Sequence, residues 1–257
     1  ARPAAGYRTQ AGEKVPGVTT VIGRFKESGA LLWWANRLAY DPLGKAYALL
    51  SQVHANITRD GAFVGETLDQ NIGAFLETPL SAYDHLAARD AAANAGTLAH
   101  AMVEAHLRGK DPHAIGGEYP QDVISKAETA FLAFLEWAGQ TRLQVLETEL
   151  SIVSETQKVG GTLDCCVIQV NGDRCIGDWK TGSAIYSDAL IQVAQYGAMY
   201  REKFPDRPIH GYYIVRFDRE NADFTVKFFN ELSDAERAFI LMRELYDIDK
   251  LLKKRVK

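Results

Sequence analysis

Hydrophobic and polar positions along the chain change period once, near Arg142, and that change organises the reading. Before it the spacing is mostly helical. Residues 1–17 hold Pro and Gly and read as an extended arm, and Pro16-Gly17-Val18-Thr19-Thr20-Val21-Ile22 is short and β-branched. Leu31, Trp34, Leu38 and Leu49 recur at turn spacing between Gly29 and Leu50, with Pro42 and Gly44 as breaks. Residues 60–78 and 80–93 read as further helices. The Ala-rich run from Ala91 to Ala105 continues through His106 and Leu107 to a stop at Gly109. Residues 111–119 form a Pro/Gly loop, and 121–139 an amphipathic helix with Val123, Ala127, Phe131, Phe134 and Leu135 inward.

After Arg142 come strand-like runs at 144–153, 161–170 and 174–180, the last two joined by Asn171-Gly172, a hairpin signal. A helix over 187–204, strands at His210–Phe217 and Phe224–Phe229, and a terminal helix over 233–254 complete the order. Ser233 with Glu236 three residues on reads as a capping box. This order predicts an α/β fold, with a mixed central sheet flanked by helices and a helical N-terminal cap. The expected division is a helical N-terminal region, 1–141, carrying His100, and a core, 142–257.

The 257 residues, 47% hydrophobic and 24% charged, exclude disordered and collagen-like classes. A net charge of -4 argues against a purely electrostatic nucleic-acid clamp but is compatible with an acidic metal pocket. Lys253, Lys254, Arg255 and Lys257 suit a solvated helix end, with a phosphate-contacting tail as the alternative. Cys165, Cys166 and Cys175 form no CxxC pair and read as buried hydrophobes. No apolar run reaches the length of a membrane span, and the N-terminus has no apolar signal region, so no membrane partner and a cytoplasm-like compartment are expected.

The chemistry concentrates in Gly160-Gly161-Thr162-Leu163-Asp164 and Gly177-Asp178-Trp179-Lys180-Thr181-Gly182. Alternation along a strand puts Asp178 and Lys180 on one face and Trp179 on the other. Asp164 lies on the partner strand of the same hairpin. Two carboxylates and an ammonium at one sheet edge suit phosphodiester hydrolysis, where hard oxygen ligands hold Mg²⁺ or Mn²⁺ and a lysine offsets charge on the phosphate. Alone, Asp-x-Lys is commonly a surface ion pair.

The ordered set of Glu149, Gly161-Thr162-Leu163-Asp164, Asp178-Trp179-Lys180 and Gln192-Val193-Ala194-Gln195-Tyr196, preceded by Gly96-Thr97-Leu98-Ala99-His100, resembles the RecB-type branch of the PD-(D/E)XK nucleases. Pro16 to Ile22 and the Trp-bearing stretch after it are similar to phage exonucleases and the mitochondrial genome-maintenance exonuclease. The resemblance implies a restriction-endonuclease-like core. It also implies a metal-dependent DNA exonuclease acting on strand ends or single-stranded DNA in recombination, repair or phage replication. Asp164 and Asp178 would then be metal ligands together with the Trp179 carbonyl and His100, and Lys180 the catalytic lysine. Glu149, preferred to Glu147, would be a water-mediated ligand or Lys180 partner. Gln192, Tyr196 and Thr181 would contact substrate or support Lys180.

Each assignment has a plainer competitor. His100, Gln192 and Tyr196 can pack, Glu104 can partner His100 or face solvent, Glu155 reads as a loop acid, and Trp33 and Trp34 can be core or stack on bases. The iron–sulfur cluster of one subgroup is not expected, since no cysteine follows Cys175. Expected partners are DNA and a recombination or single-strand-binding protein, in a bacterial or phage-infected cell or the mitochondrial matrix. The competing classes are a nucleic-acid-binding accessory protein with an inactive fold and a flap or RNA endonuclease.

Overall fold

Helix α1 (Val18–Phe25) forms although all four of its first residues are β-branched. Val18, Val21 and Ile22 fall on one face and are buried, so tertiary packing outweighs a weak intrinsic preference. The computed structural model describes residues 3–25, 85–141, 144–169 and 171–256. The helices expected between Gly29 and residue 84, with Trp33 and Trp34, lie outside the described residues. The arm ahead of α1 folds into a small antiparallel hairpin of β1 (Tyr7–Arg8) and β2 (Lys14–Val15).

Helix α2 (His85–Leu107) joins the end of the predicted 80–93 helix to the Ala-rich run. Ala95, Leu98, Ala99, Met102 and Val103 are buried at helical spacing, and Gly109 turns the chain away with φ +67°. Helix α3 (Gln121–Gln140) buries Val123, Ala127, Phe131, Phe134 and Trp137, while Leu135 is only partly covered.

The strands are β3 (Gln144–Ser154), β4 (Val159–Ile168), β5 (Arg174–Lys180), β6 (Gly211–Phe217) and β7 (Phe224–Phe229). They form one five-stranded sheet in sequence order. All neighbours are antiparallel except β5 and β6, which run parallel and are joined by α4 (Ser187–Lys203). Gln169 N–H to Asp173 O at 2.9 Å closes the β4–β5 hairpin, with Gly172 at φ +90°.

Helices flank both faces of the sheet. On one, Phe134 and Trp137 of α3 meet Trp179 of β5 and Phe217 of β6, the two indoles 5.1 Å apart. On the other, Val193, Tyr196 and Met199 of α4, Phe239 of α5 (Ser233–Arg255) and the buried side of α1 close over Leu163, Ile176 and Ile214. The mixed α/β sheet is therefore present as predicted.

The capping box at α5 is not formed. Leu232 occupies the N-cap, the Ser233 hydroxyl donates to Glu231, and Glu236 pairs with Arg201. An arginine on the packed neighbouring helix offers Glu236 a charged partner, which a local amide does not.

The chain divides into two compact units, residues 1–26 with 95–257, and residues 27–94. The hairpin, α1 and the part of α2 that carries His100 belong to the same unit as the sheet.

Candidate metal centre

The site grows from two interruptions in regular pairing. Between β3 and β4 the register shifts between Val145 and Glu147 and then runs unchanged from Glu147↔Cys166 through Leu150↔Leu163, which sets Glu149 opposite Asp164. Glu149 has φ +51°, a left-handed conformation that costs a side-chain-bearing residue energy and recurs at functional sites. Between β4 and β5 the ladder ends at Cys165↔Gly177, while β5 continues beside β6 to Lys180. Beyond that point the Trp179 N–H donates to Asp164 Oδ2 at 2.7 Å, so a carboxylate occupies a place that a strand carbonyl would otherwise take.

Helix α2 brings His100 to this gap, its Nδ1 3.9 Å from Asp164 Oδ1. One ligand atom each of His100, Glu149 and Asp164 lies within 4.8 Å of the others. Imidazole nitrogen with two carboxylates is a donor set suited to Mn²⁺ and, through its oxygens, to Mg²⁺. The three residues line a cleft with Glu104, Thr148 and Trp179.

Asp178 is fully buried and faces α4. Its Oδ2 lies 2.6 Å from Lys180 Nζ, and its Oδ1 accepts from Gln192 Nε2 at 3.1 Å. Gln192 also accepts from Lys180 at 3.1 Å and donates to the Tyr196 hydroxyl at 3.1 Å. Asp178 is thus held by Lys180 and Gln192 and is not a member of the converging His100–Glu149–Asp164 group.

Charge balance explains the titration of these groups. Burial pushes Asp178 up to about 6, against the pull of Lys180 and with a further push from Asp164. Burial also raises Asp164, opposed by Lys180, and raises Glu149, reinforced by Asp164. Burial, then Lys180, lower His100. For Lys180, burial pulls downward, but Asp178 and Asp164 together outweigh it and hold the ammonium protonated. Three carboxylates around one ammonium leave surplus negative charge, and a divalent cation is its natural complement. The residues present therefore fit such an ion.

Glycines fix the approach of the surrounding elements. A Cβ on Gly161 would lie 2.6 Å from the Tyr196 ring, and one on Gly96 would lie 2.7 Å from Thr181 Oγ1. Thr181 therefore packs against the His100 helix. Tyr196 is buried and supports Gln192. Glu147 pairs with Arg207 at 3.3 Å and stays out of the cleft. Glu155 accepts from Gln10 N–H in the β3–β4 turn. His106 stacks edge-on against Phe131 and Phe134. Glu104 pairs with Arg108 at 2.7 Å while lining the cleft. All three cysteines are free and buried.

Tyr7 carries no sequence signal, yet its hydroxyl meets Thr162 Oγ1 at 2.9 Å and Thr162 meets Ser151 at 2.9 Å. This ties the N-terminal hairpin to the two strands that bear Glu149 and Asp164. Among the described residues no helix is long and apolar enough to cross a membrane.

No family model and no curated protein matches the chain. Among solved structures it is similar to SSO0001 at 13% identity, over 59% of this chain and 70% of that one, with a TM-score of 0.31. A likeness at that level carries no argument about fold or function.

Proposed function

We propose that this protein is a divalent-metal-dependent DNA exonuclease with a restriction-endonuclease-like core of the PD-(D/E)XK type. The observation that supports it most is the convergence of His100, Glu149 and Asp164, from a helix and two strands, beside the buried Asp178–Lys180 pair. These residues are far apart in sequence. Bringing like-charged carboxylates together in a partly dry cleft is unfavourable without a compensating cation.

His100, Glu149 and Asp164 would hold the ion, with Asp178 and the Trp179 carbonyl at its margin. Bound there, Mg²⁺ or Mn²⁺ would polarise a phosphoryl oxygen and favour ionisation of a water molecule. Lys180 keeps its proton and can donate a hydrogen bond to the attacking water or to a phosphate oxygen, offsetting charge as it develops. Gln192 fixes the rotamers of Lys180 and Asp178 at once. Tyr196 in turn holds Gln192 from the far side. Restraint of this kind keeps a catalytic ammonium aimed in one direction.

The test is cleavage of labelled linear DNA, single-stranded and duplex, with Mg²⁺, Mn²⁺ or EDTA. Shortening from the ends that needs a divalent ion, and that Lys180→Ala abolishes, is expected. Equal loss of full-length DNA with the wild type and Lys180→Ala overturns the assignment. A circular single strand separates internal cutting from end-directed action. DNA binding that persists in EDTA, with no cleavage under any metal, would instead identify an accessory binding protein.

A further inference from the structure

The N-terminal hairpin is fastened to β3 and β4 near their turn and again further along. Near the turn, Gln10 N–H donates to Glu155 at 2.8 Å and Gly160 N–H donates to the Pro16 carbonyl at 2.9 Å. Further along, the Tyr7 hydroxyl meets Thr162 Oγ1 at 2.9 Å, and Thr162 Oγ1 also meets Ser151 Oγ at 2.9 Å. One threonine hydroxyl therefore joins the hairpin, β4 and β3. Its place is specific. Ser151 pairs with Thr162 two rungs from Glu149 and Asp164, a step of about 7 Å along the strands. Gly160 makes the contact possible. A Cβ there would lie 2.2 Å from Tyr7 Cβ and Cγ, so Tyr7 lies directly on the β4 backbone, and it is buried.

The neighbouring rung needs such a brace. Glu149 and Asp164 set like charges opposite each other on adjacent strands, which weakens pairing locally. Glu149 also holds φ +51°, a conformation that persists only where the surrounding structure over-determines it. Unrestrained, the two strands gain by parting at this rung. An arriving cation would then have to draw them back together, at a cost in affinity that a preorganised site avoids. Hydroxyl groups suit the task, because they link the strands without adding charge to an already acidic cleft.

We infer that Tyr7 and Thr162 are positioning residues for the cation: with Ser151, their hydroxyls clamp β3 to β4 beside Glu149 and Asp164 and hold the two carboxylates at ligating separation before the ion arrives. This role rests on the cation site proposed above.

The test is Mn²⁺ titration of the full chain, read by the electron paramagnetic resonance signal of the free ion at a temperature where every variant is folded. Tyr7→Phe keeps the ring on Gly160 and removes the hydroxyl, and Thr162→Val keeps the side-chain volume and removes the hydroxyl. Each should bind Mn²⁺ about fivefold more weakly, the worth of one hydrogen bond. Thr162→Ser keeps the hydroxyl and should bind as the wild type does. Glu155→Ala cuts the tie near the turn and should also leave the affinity unchanged. A contact that only stabilises the fold would lower the melting temperature and leave the affinity of the folded protein where it was. Wild-type affinity in either Tyr7→Phe or Thr162→Val overturns the positioning role while the cation site stands. Equal weakening by Thr162→Ser or by Glu155→Ala overturns it as well. Wild type that binds no Mn²⁺ overturns the cation site and this role together.

Discussion

Asp178 sets the most direct pH dependence at the scale of single residues. Its folded carboxyl is held at about 6, against an ordinary value of 3.8. As pH rises from about 4 to about 6 the unfolded chain loses this proton first, while the folded protein keeps it. The folded state then binds more protons, so metal-free stability falls through that window and levels off above it, by up to about 3 kcal/mol from this group. Denaturant melts of metal-free wild type and Asp178→Asn at pH 4 to 7 should show a shallower decline in the variant. Parallel curves would count against a neutral Asp178 in the metal-free fold.

Glu149 separates strain from ligation. With φ at +51°, glycine fits its backbone better than any L residue with a side chain. Glu149→Gly should retain or raise metal-free stability yet lose most of the response to Mn²⁺, whereas Glu149→Gln keeps the strain and loses the charge. The two variants are compared by melting with and without metal. Nothing in the sequence around Glu149 announces this conformation, which is seen only in the folded β3.

At the scale of elements, the contact of α2 with the end of β5 decides where His100 sits. Gly96→Ala would drive a methyl to 2.7 Å from Thr181 Oγ1 and push the helix outward. A loss of about 1–3 kcal/mol is expected from overpacking, with weaker Mn²⁺ binding. Adding Thr181→Ala removes the offending oxygen and leaves only a Cβ at 4.0 Å, so the double variant should recover both. Calorimetry of Mn²⁺ binding checks this. Failure of the rescue would mean that Thr181 does more than pack against α2.

Most elements were legible because their signals are local. Inward positions at helical spacing marked α3, and alternation with Asn171-Gly172 marked the hairpin. Two features were settled by nonlocal packing. The β-branched stretch at Val18 becomes a helix because its buried face has the core to pack on. Glu236 abandons a local cap for Arg201 of α4.

Across the whole molecule, cation binding should be coupled to folding, since the ligands are assembled only in the native state. At about a hundredfold excess over its dissociation constant, Mn²⁺ or Mg²⁺ should add about 2.7 kcal/mol of stability. For a chain of this size that is on the order of 5–10 °C in melting temperature. EDTA should reverse the shift, and His100→Ala and Asp164→Asn should abolish it. An unchanged melting temperature for wild type under saturating metal would remove the basis of the cation site.

By itself the sequence determined the α/β order of elements; it offered Asp164, Asp178 and Lys180 as candidate site residues from their place on paired strands, and His100, Glu149 and Gln192 through the resemblance of its ordered motifs to the RecB-type nucleases. Periodicity and residue chemistry are written locally, which is why they can be read there. Only the tertiary structure decided how those reagents divide. It grouped His100 and Glu149 with Asp164, turned Asp178 toward Lys180 and Gln192, and gave Thr181 to the packing of α2. Those choices depend on where β4 parts from β5 and on which side chains fill the gap. Both are properties of packed distances that no spacing along the chain encodes.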